Sequence, residues 1–333
     1  MEKPTSADYV DLLYNLFDRF MQQHPMPVQR GHPFTYRHKL LVAFFTMMHT
    51  KHIFQFQTQW RWLTTHSEER QRLGFDKVPH RTTLERRYKQ LYSLLQAFIV
   101  FVGETAEPLG QTFASHDLNE DKSLFKAQGP VWHQSDREMG RIPEKLRHLD
   151  ADATWSKSGY HGWVYGYGVH LTCNQAGFPK VVQVETAAVS ESQVLDDKEA
   201  FLLHHLCPDS LTADNSYTQA RRIRAWANNG VVLLTPALKW VQGKYARAYH
   251  KFIREEPNAQ LLQNRRTAIE PVFDLLAKLI GATANHKQLS IQRLINVRTC
   301  LALATLALQL IMIANSIWNL PTRDISHFLA TFA

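Results

Sequence analysis

The run WVYGYGVHLTC, Trp163 to Cys173, is rich in the aromatic and β-branched residues that favour strands, and the short runs Val181 to Thr186 and Val231 to Thr235 share its texture. Between and after them the pattern turns helical, over Asp196 to His205 and Thr218 to Ala227. Strands alternating with helices indicate an α/β sheet domain. The segment Gly230-Val231-Val232-Leu233-Leu234, following a basic helix, reads as the start of a buried strand.

Upstream of Pro108 and Gly110 the texture differs. YVDLLYNLFDRF, Tyr9 to Phe20, places Val10, Leu13, Phe17 and Phe20 at the three-and-four spacing of an amphipathic helix. Pro25, Pro27, Gly31 and Pro33 break the pattern. A second, mostly buried helix is expected over Tyr36 to Met48, a third over Phe54 to Leu63 and a fourth over Thr82 to Val102. Thr82 with Glu85 three residues on has the spacing of a capping box for the fourth. Two domains follow from this division: an all-α part over residues 1–105, and an α/β part over 106–333 ending in helices. No internal repeat is visible.

A net charge of +8 and a pI near 9.3 point to a polyanionic partner, nucleic acid or an anionic membrane surface. Cys173, Cys207 and Cys300 are far apart and lack CxxC spacing, which argues against a disulfide framework and against structural zinc. MEKPTSADYV has no apolar signal core. CLALATLALQLIMIA, Cys300 to Ala314, is about fifteen residues, shorter than the roughly twenty a membrane span needs, and is expected to be a buried helix.

Three acids stand out by context: Asp121 in DKSLFKAQGPVWH, Asp214 in SLTADNSY and Glu270 in RRTAIEPVFDLLAK. Converging carboxylates suit hard divalent cations and two-metal phosphoryl transfer. Each has a plainer reading as well. Glu270 completes a capping box with Thr267, with Pro271 tolerated near a helix start; Asp214 caps the helix beginning near Thr218 or forms an Asx turn; Asp121 is a loop acid. His116, His133, His161 and His170 form no HxxxH pair. Trp132, Trp155 and Trp163 are candidates for base stacking or for core packing.

DKSLFKAQGPVWHQSDREMGRIP, DADATWSKSGYHGWVYGYGVHL, LTADNSY and RRTAIEPVFDLLAK occur in the order found in the insertion-sequence DDE transposases, and the chain resembles that family, its IS4-like branch in particular, from about Asp121 to its end. The resemblance implies a ribonuclease-H-like mixed sheet flanked by helices, preceded by helices that bind the element's ends. It implies catalysis of strand cleavage and transfer by two Mg2+ or Mn2+ ions on Asp121, Asp214 and Glu270. It also implies double-stranded DNA as partner, both terminal inverted repeats and target, with a homodimer in the active complex, in the bacterial cytoplasm at the nucleoid.

In the family the first aspartate ends an apolar strand, whereas SHDLNE precedes Asp121, so Asp117 stands as the alternative. Of the branch's tyrosine-arginine-glutamate-lysine signature, Arg266 sits four residues before Glu270, Gln263 replaces the tyrosine, and Lys278 lies one residue late. Arg266 and Lys278 are thus expected phosphate contacts, and Arg86, Arg87 and Lys89 on the fourth helix are expected DNA contacts. A DNA-binding protein with purely structural acids, and a nuclease that cuts without joining, are the competing readings.

Overall fold

The computed structural model describes residues 3–25, 35–159, 162–236 and 244–332. The break expected at Pro27, Gly31 and Pro33, as well as His161, lies outside them. Six helices come first: α1 (Ser6–Gln23), α2 (His38–Thr50), α3 (Phe56–Thr65), α4 (Ser67–Arg72), α5 (Arg81–Lys89) and α6 (Tyr92–Thr105). After the short α7 (Gln111–Ala114) come β1 (Asp117–Lys126), α8 (Gln134–Glu138), β2 (Thr154–Ser158), β3 (Gly162–Asn174) and β4 (Pro179–Thr186). The chain continues through α9 (Glu191–Phe201), β5 (Ser210–Thr212), α10 (Ala220–Asn228), β6 (Val232–Leu234), α11 (Lys244–Phe252), α12 (Asn258–Leu279), α13 (Leu294–Ile317) and α14 (Ser326–Phe332).

The strands form one mixed sheet. β3 pairs antiparallel with β1, β2 and β4; β1 pairs parallel with β5, and β5 parallel with β6. At Gly166, which faces Lys126 of β1 and Thr154 of β2, the backbones approach too closely for a side chain. A Cβ there would stand 1.9 Å from the Phe125 carbonyl oxygen.

The apolar run expected to be a buried helix is the middle of α13, with Leu301, Leu303, Leu306, Leu308 and Ile311 all buried. Its polar residues are matched to backbone acceptors: Gln309 Nε2 donates to the carbonyls of Ile99 and Pro179, each at 2.9 Å, tying α6 and β4 to the helix. A single apolar cluster runs from Tyr9 through α13 to Phe332, so the N-terminal helices and the sheet share one core.

Three expectations change. The fourth helix is two, α5 and α6, separated at Gln90 and Leu91, where the Gln90 and Leu91 N–H groups donate to the carbonyls of Arg87 and Tyr88. Leu84, Tyr88, Leu91 and Leu95 are all fully buried, and core packing sets the bend without any local proline or glycine. The Thr82/Glu85 capping box is absent: His80 is the cap, its Nδ1 accepting from the Thr82 N–H at 3.4 Å, and Glu85 pairs instead with Lys89 at 2.7 Å. The helix expected from Thr218 begins at Ala220.

Candidate active site

Strand alternation sends Asn119, Asp121 and Ser123 to the α12 side of β1, and Glu120 and Lys122 to the α9 side. Asp121 is therefore a strand residue rather than a loop acid. Its Oδ2 accepts from Arg265 Nη1 at 2.9 Å, and its Oδ1 from the Lys122 N–H at 2.9 Å. Burial pushes its carboxyl up to about 6, against the pull of Arg265 and the Lys122 amide; the nearby Asp214 charge pushes it further up.

Asp214 reaches that position through the register. Asn119 faces Thr212, the last residue of β5, and two residues beyond the strand Asp214 is near enough to Asp121 for its charge to raise the Asp121 carboxyl. Asp214 does make an Asx turn: its Oδ1 accepts from the Ser216 N–H at 2.8 Å and caps the single turn Asn215–Tyr217. Capping and a ligand role are compatible, because Oδ2 has only a 3.3 Å contact from Ser216 Oγ. Asp117, the alternative first acid, sits at the far end of β1, about 13 Å from Asp121 at 3.3 Å per residue, and accepts from Ser210 Oγ at 2.5 Å.

Glu270 is in mid-helix on α12, not at a helix start, and its capping box with Thr267 does not form: Thr267 Oγ1 donates to the Asn264 carbonyl instead. Pro271 stands inside the helix and removes the N–H that would reach the Thr267 carbonyl. That carbonyl accepts from Arg323 Nη1 at 3.4 Å, which accounts for the tolerated proline. Glu270 is exposed and lies 3.7 Å from Arg266.

Asp121, Ser123, Arg266, Glu270, Asp274 and Lys287 line one cleft of about 680 Å³ between β1 and α12. Lys287 was not legible from the sequence; it pairs with Asp274 at 3.0 Å and donates to Ser123 Oγ at 3.2 Å. Lys278 is exposed but does not line the cleft. Eight residues beyond Glu270 turn it about 80° away around the helix. Arg265 was missed as well, and the i,i+4 rule that selected Arg266 gives no reason to choose its neighbour.

The other expected contacts divide. On α5, Arg86 is exposed and Lys89 is paired with Glu85, but Arg87 is buried, with only 2% exposure, and burial lowers its pKa. Arg87 is therefore not a surface contact to DNA, a correction to the sequence expectation. His170 is fully buried on the α9 side of the sheet, its ring nitrogens unbonded; His116 and His133 are exposed elsewhere. Trp132 and Trp155 are tied into the fold, Trp155 Nε1 donating to the Trp132 carbonyl at 2.8 Å, while Trp163 is 64% exposed.

The donor set fits a hard divalent cation. It consists of carboxylate oxygens, two of them repelling one another, Asp121 in the middle of β1 and Asp214 in the turn just after β5. Among the described residues no three such groups already stand close enough to hold an ion together. Glu270, exposed and loosely paired, is the member with freedom to move.

The acids thus come from β1, from the turn after β5 and from α12, with Asp121 and Glu270 on opposite walls of a cleft that Lys122, Arg266 and Lys287 also line. The Transposase DDE domain family matches residues 121–306, more than half of the chain, and the chain belongs to that family. No curated protein and no solved structure matches it.

Proposed function

We propose that the protein is a transposase that binds the ends of an insertion sequence and cuts and rejoins DNA with two Mg2+ or Mn2+ ions held by Asp121, Asp214 and Glu270. The observation that carries this reading is the parallel β1–β5 pairing in the middle of the sheet, which brings Asp214 near enough for its charge to act on Asp121, with Asp121 and Glu270 lining one cleft. A ribonuclease-H-like fold is supported by the order β4-β3-β1-β5-β6, its first three strands antiparallel and its last three parallel. Residues 1–105 would be the end-binding part and 106–333 the catalytic part, joined through a common core.

The bound ions would activate the attacking oxygen and stabilise the leaving one. The protein's own residues do the rest. Arg265 orients the Asp121 carboxylate, and Arg266 and Lys287 offer positive charge to the phosphate in the cleft, a role in which Lys287 takes the place expected for Lys278.

Cleavage of plasmid or oligonucleotide carrying the element's ends tests the reading. Asp121→Ala and Glu270→Gln should each lower cutting by at least about a thousandfold with end binding retained, and Asp117→Ala by less than about tenfold. Mg2+ or Mn2+ should support cutting and Ca2+ only binding, because the longer Ca–O bonds misplace the reacting groups. Normal cutting by folded Glu270→Gln would end the role of that residue, and a dead Asp117→Ala with an active Asp121→Ala would end the choice of first acid.

A further inference from the structure

The helices α10 and α11 carry cations that the cleft does not use. Arg247 and Lys251, one turn apart on α11, and Arg254 in the turn just after it are exposed, and with His250 they line a depression of about 600 Å³ whose only acid among the described residues is Glu255. Lys251 and Glu255 are 3.7 Å apart and both largely exposed, a pairing of little strength. Arg221 is also exposed on α10, which packs against α11 through Ile223, Ala246 and Tyr249. Like charges at i,i+4 and i,i+3 weaken a helix by a few tenths of a kcal/mol per pair. Three cations against one acid leave the depression positively charged, the complement of a polyanion.

The placement of this face is fixed. Tyr249 Oη donates to the Leu233 carbonyl at 2.9 Å and accepts from the Thr235 N–H at 3.0 Å, pinning α11 to the end of β6. Leu234 faces Thr212, which faces Asn119, so the anchor lies at the same end of the sheet as Asp214 and Asp121. Two strand spacings put it about 10 Å from the β1 row. On the other side, Arg222 ties α10 to α9 through Asp196 at 2.6 Å and to the Tyr217 carbonyl at 2.7 Å.

We infer that the face formed by Arg247, Lys251 and Arg254 is a docking surface for the sugar-phosphate backbone of duplex DNA beside the carboxylate cleft. The inference rests on the transposase reading. It assigns the backbone of the DNA to a surface in the α/β part of the chain, in addition to the N-terminal helices. Phosphate contacts of this kind position the duplex without reading its sequence.

The test is fluorescence anisotropy of the full chain with a labelled random-sequence 30-bp duplex in Ca2+, titrated with salt, alongside Mg2+-dependent cutting of end-bearing DNA by the wild type. Arg247→Gln/Lys251→Gln/Arg254→Gln should lower the slope of log K against log salt by about two to three, near 0.9 for each phosphate that is no longer neutralised. Arg247→Lys/Arg254→Lys, which keeps the charge, should keep the slope. Thermal melts of both variants exclude a folding effect. A triple variant whose slope stays within about half a unit of the wild type would overturn the docking surface while leaving the transposase reading standing if the wild type binds and cuts. A wild type with no salt-dependent binding to duplex DNA would overturn both.

Discussion

On one wall of the cleft Asp121 is held between Arg265 and a backbone amide, with the two side chains of the ion pair 17% and 8% exposed; on the other, Glu270 and Arg266 are 58% and 75% exposed and 3.7 Å apart. The two arginines are consecutive on α12, and a helical step of 100° sends one inward and the other out. The strand side is therefore rigid before any ion binds, and the helix side is free to adjust. On the proposed reading, the sheet would hold Asp121 and carry Asp214 just beyond β5, and Glu270 would move to complete the ligand set.

The largest effect on stability that distinguishes the two walls should come from Arg265→Met. It would leave the Asp121 carboxylate buried without its cation, a loss on the order of 3 kcal/mol at neutral pH. Arg266→Met should change stability by less than about 0.5 kcal/mol. Urea unfolding of both variants decides it, and equal losses would erase the contrast between the walls.

Much of this contrast could not be read in advance. The strands β3 and β4 were legible because aromatic and β-branched residues crowd them, and α13 because its apolar run is too long for a strand; the helix proves 24 residues long, enough by length and composition to cross a membrane, and is buried in the core instead. Asp214 and Glu270 were picked out by their surrounding blocks. What failed were the readings that depended on non-local partners. Pro271 reads locally as a helix start, and only Arg323, 56 residues from Thr267, reveals why the helix continues through it. Lys287 enters the cleft from the segment after α12, and Asp121 belongs in a strand because β5 and β3 flank it. SHDLNE looks poor as a strand because its polar residues have buried partners that lie far away in sequence: Glu120 pairs with Lys198 at 2.6 Å and accepts from Thr172 at 2.5 Å.

The rigid wall rests on this buried polar layer, which should register in acid. His170 is buried next to Lys198 and Lys122; burial first, and then those two charges, depress its pKa far below the ordinary histidine value. The folded protein thus keeps His170 neutral where the unfolded chain takes up a proton. Stability from this residue is complete above about pH 6.5 and falls as pH drops below it, by about 1.4 kcal/mol per pH unit. His49, buried against Tyr88 in the helical part with its pKa pushed down to about 3, has the same sign. His170→Gln should flatten the pH dependence of unfolding free energy between pH 6 and 4 by about one proton, leaving the His49 contribution in place. An unchanged slope would mean that water reaches His170 and that the layer under Asp121 is not dry.

The smallest expected effect repeats the inward–outward contrast on α5, where Arg86 and Arg87 are also consecutive. The sequence offers both as DNA contacts, yet only Arg86 is exposed, while Arg87 is buried beside the core residues Leu84 and Tyr88. If α5 lies on DNA, Arg86→Ala should remove about one phosphate contact, lowering the salt slope by about 0.9, with little change in melting temperature. Arg87→Ala should leave the slope of the folded protein unchanged and lower the melting temperature, because it empties a buried site that the arginine side chain fills. Lys89 is held by Glu85, so Lys89→Ala should change the slope by less than Arg86→Ala does. The three slopes, measured on one duplex by anisotropy over the same salt range, separate a helix that contacts DNA through a single outward arginine from one that does not contact it at all. A slope that is indifferent to Arg86 would confine α5 to the core and leave end binding to other surfaces of the N-terminal helices.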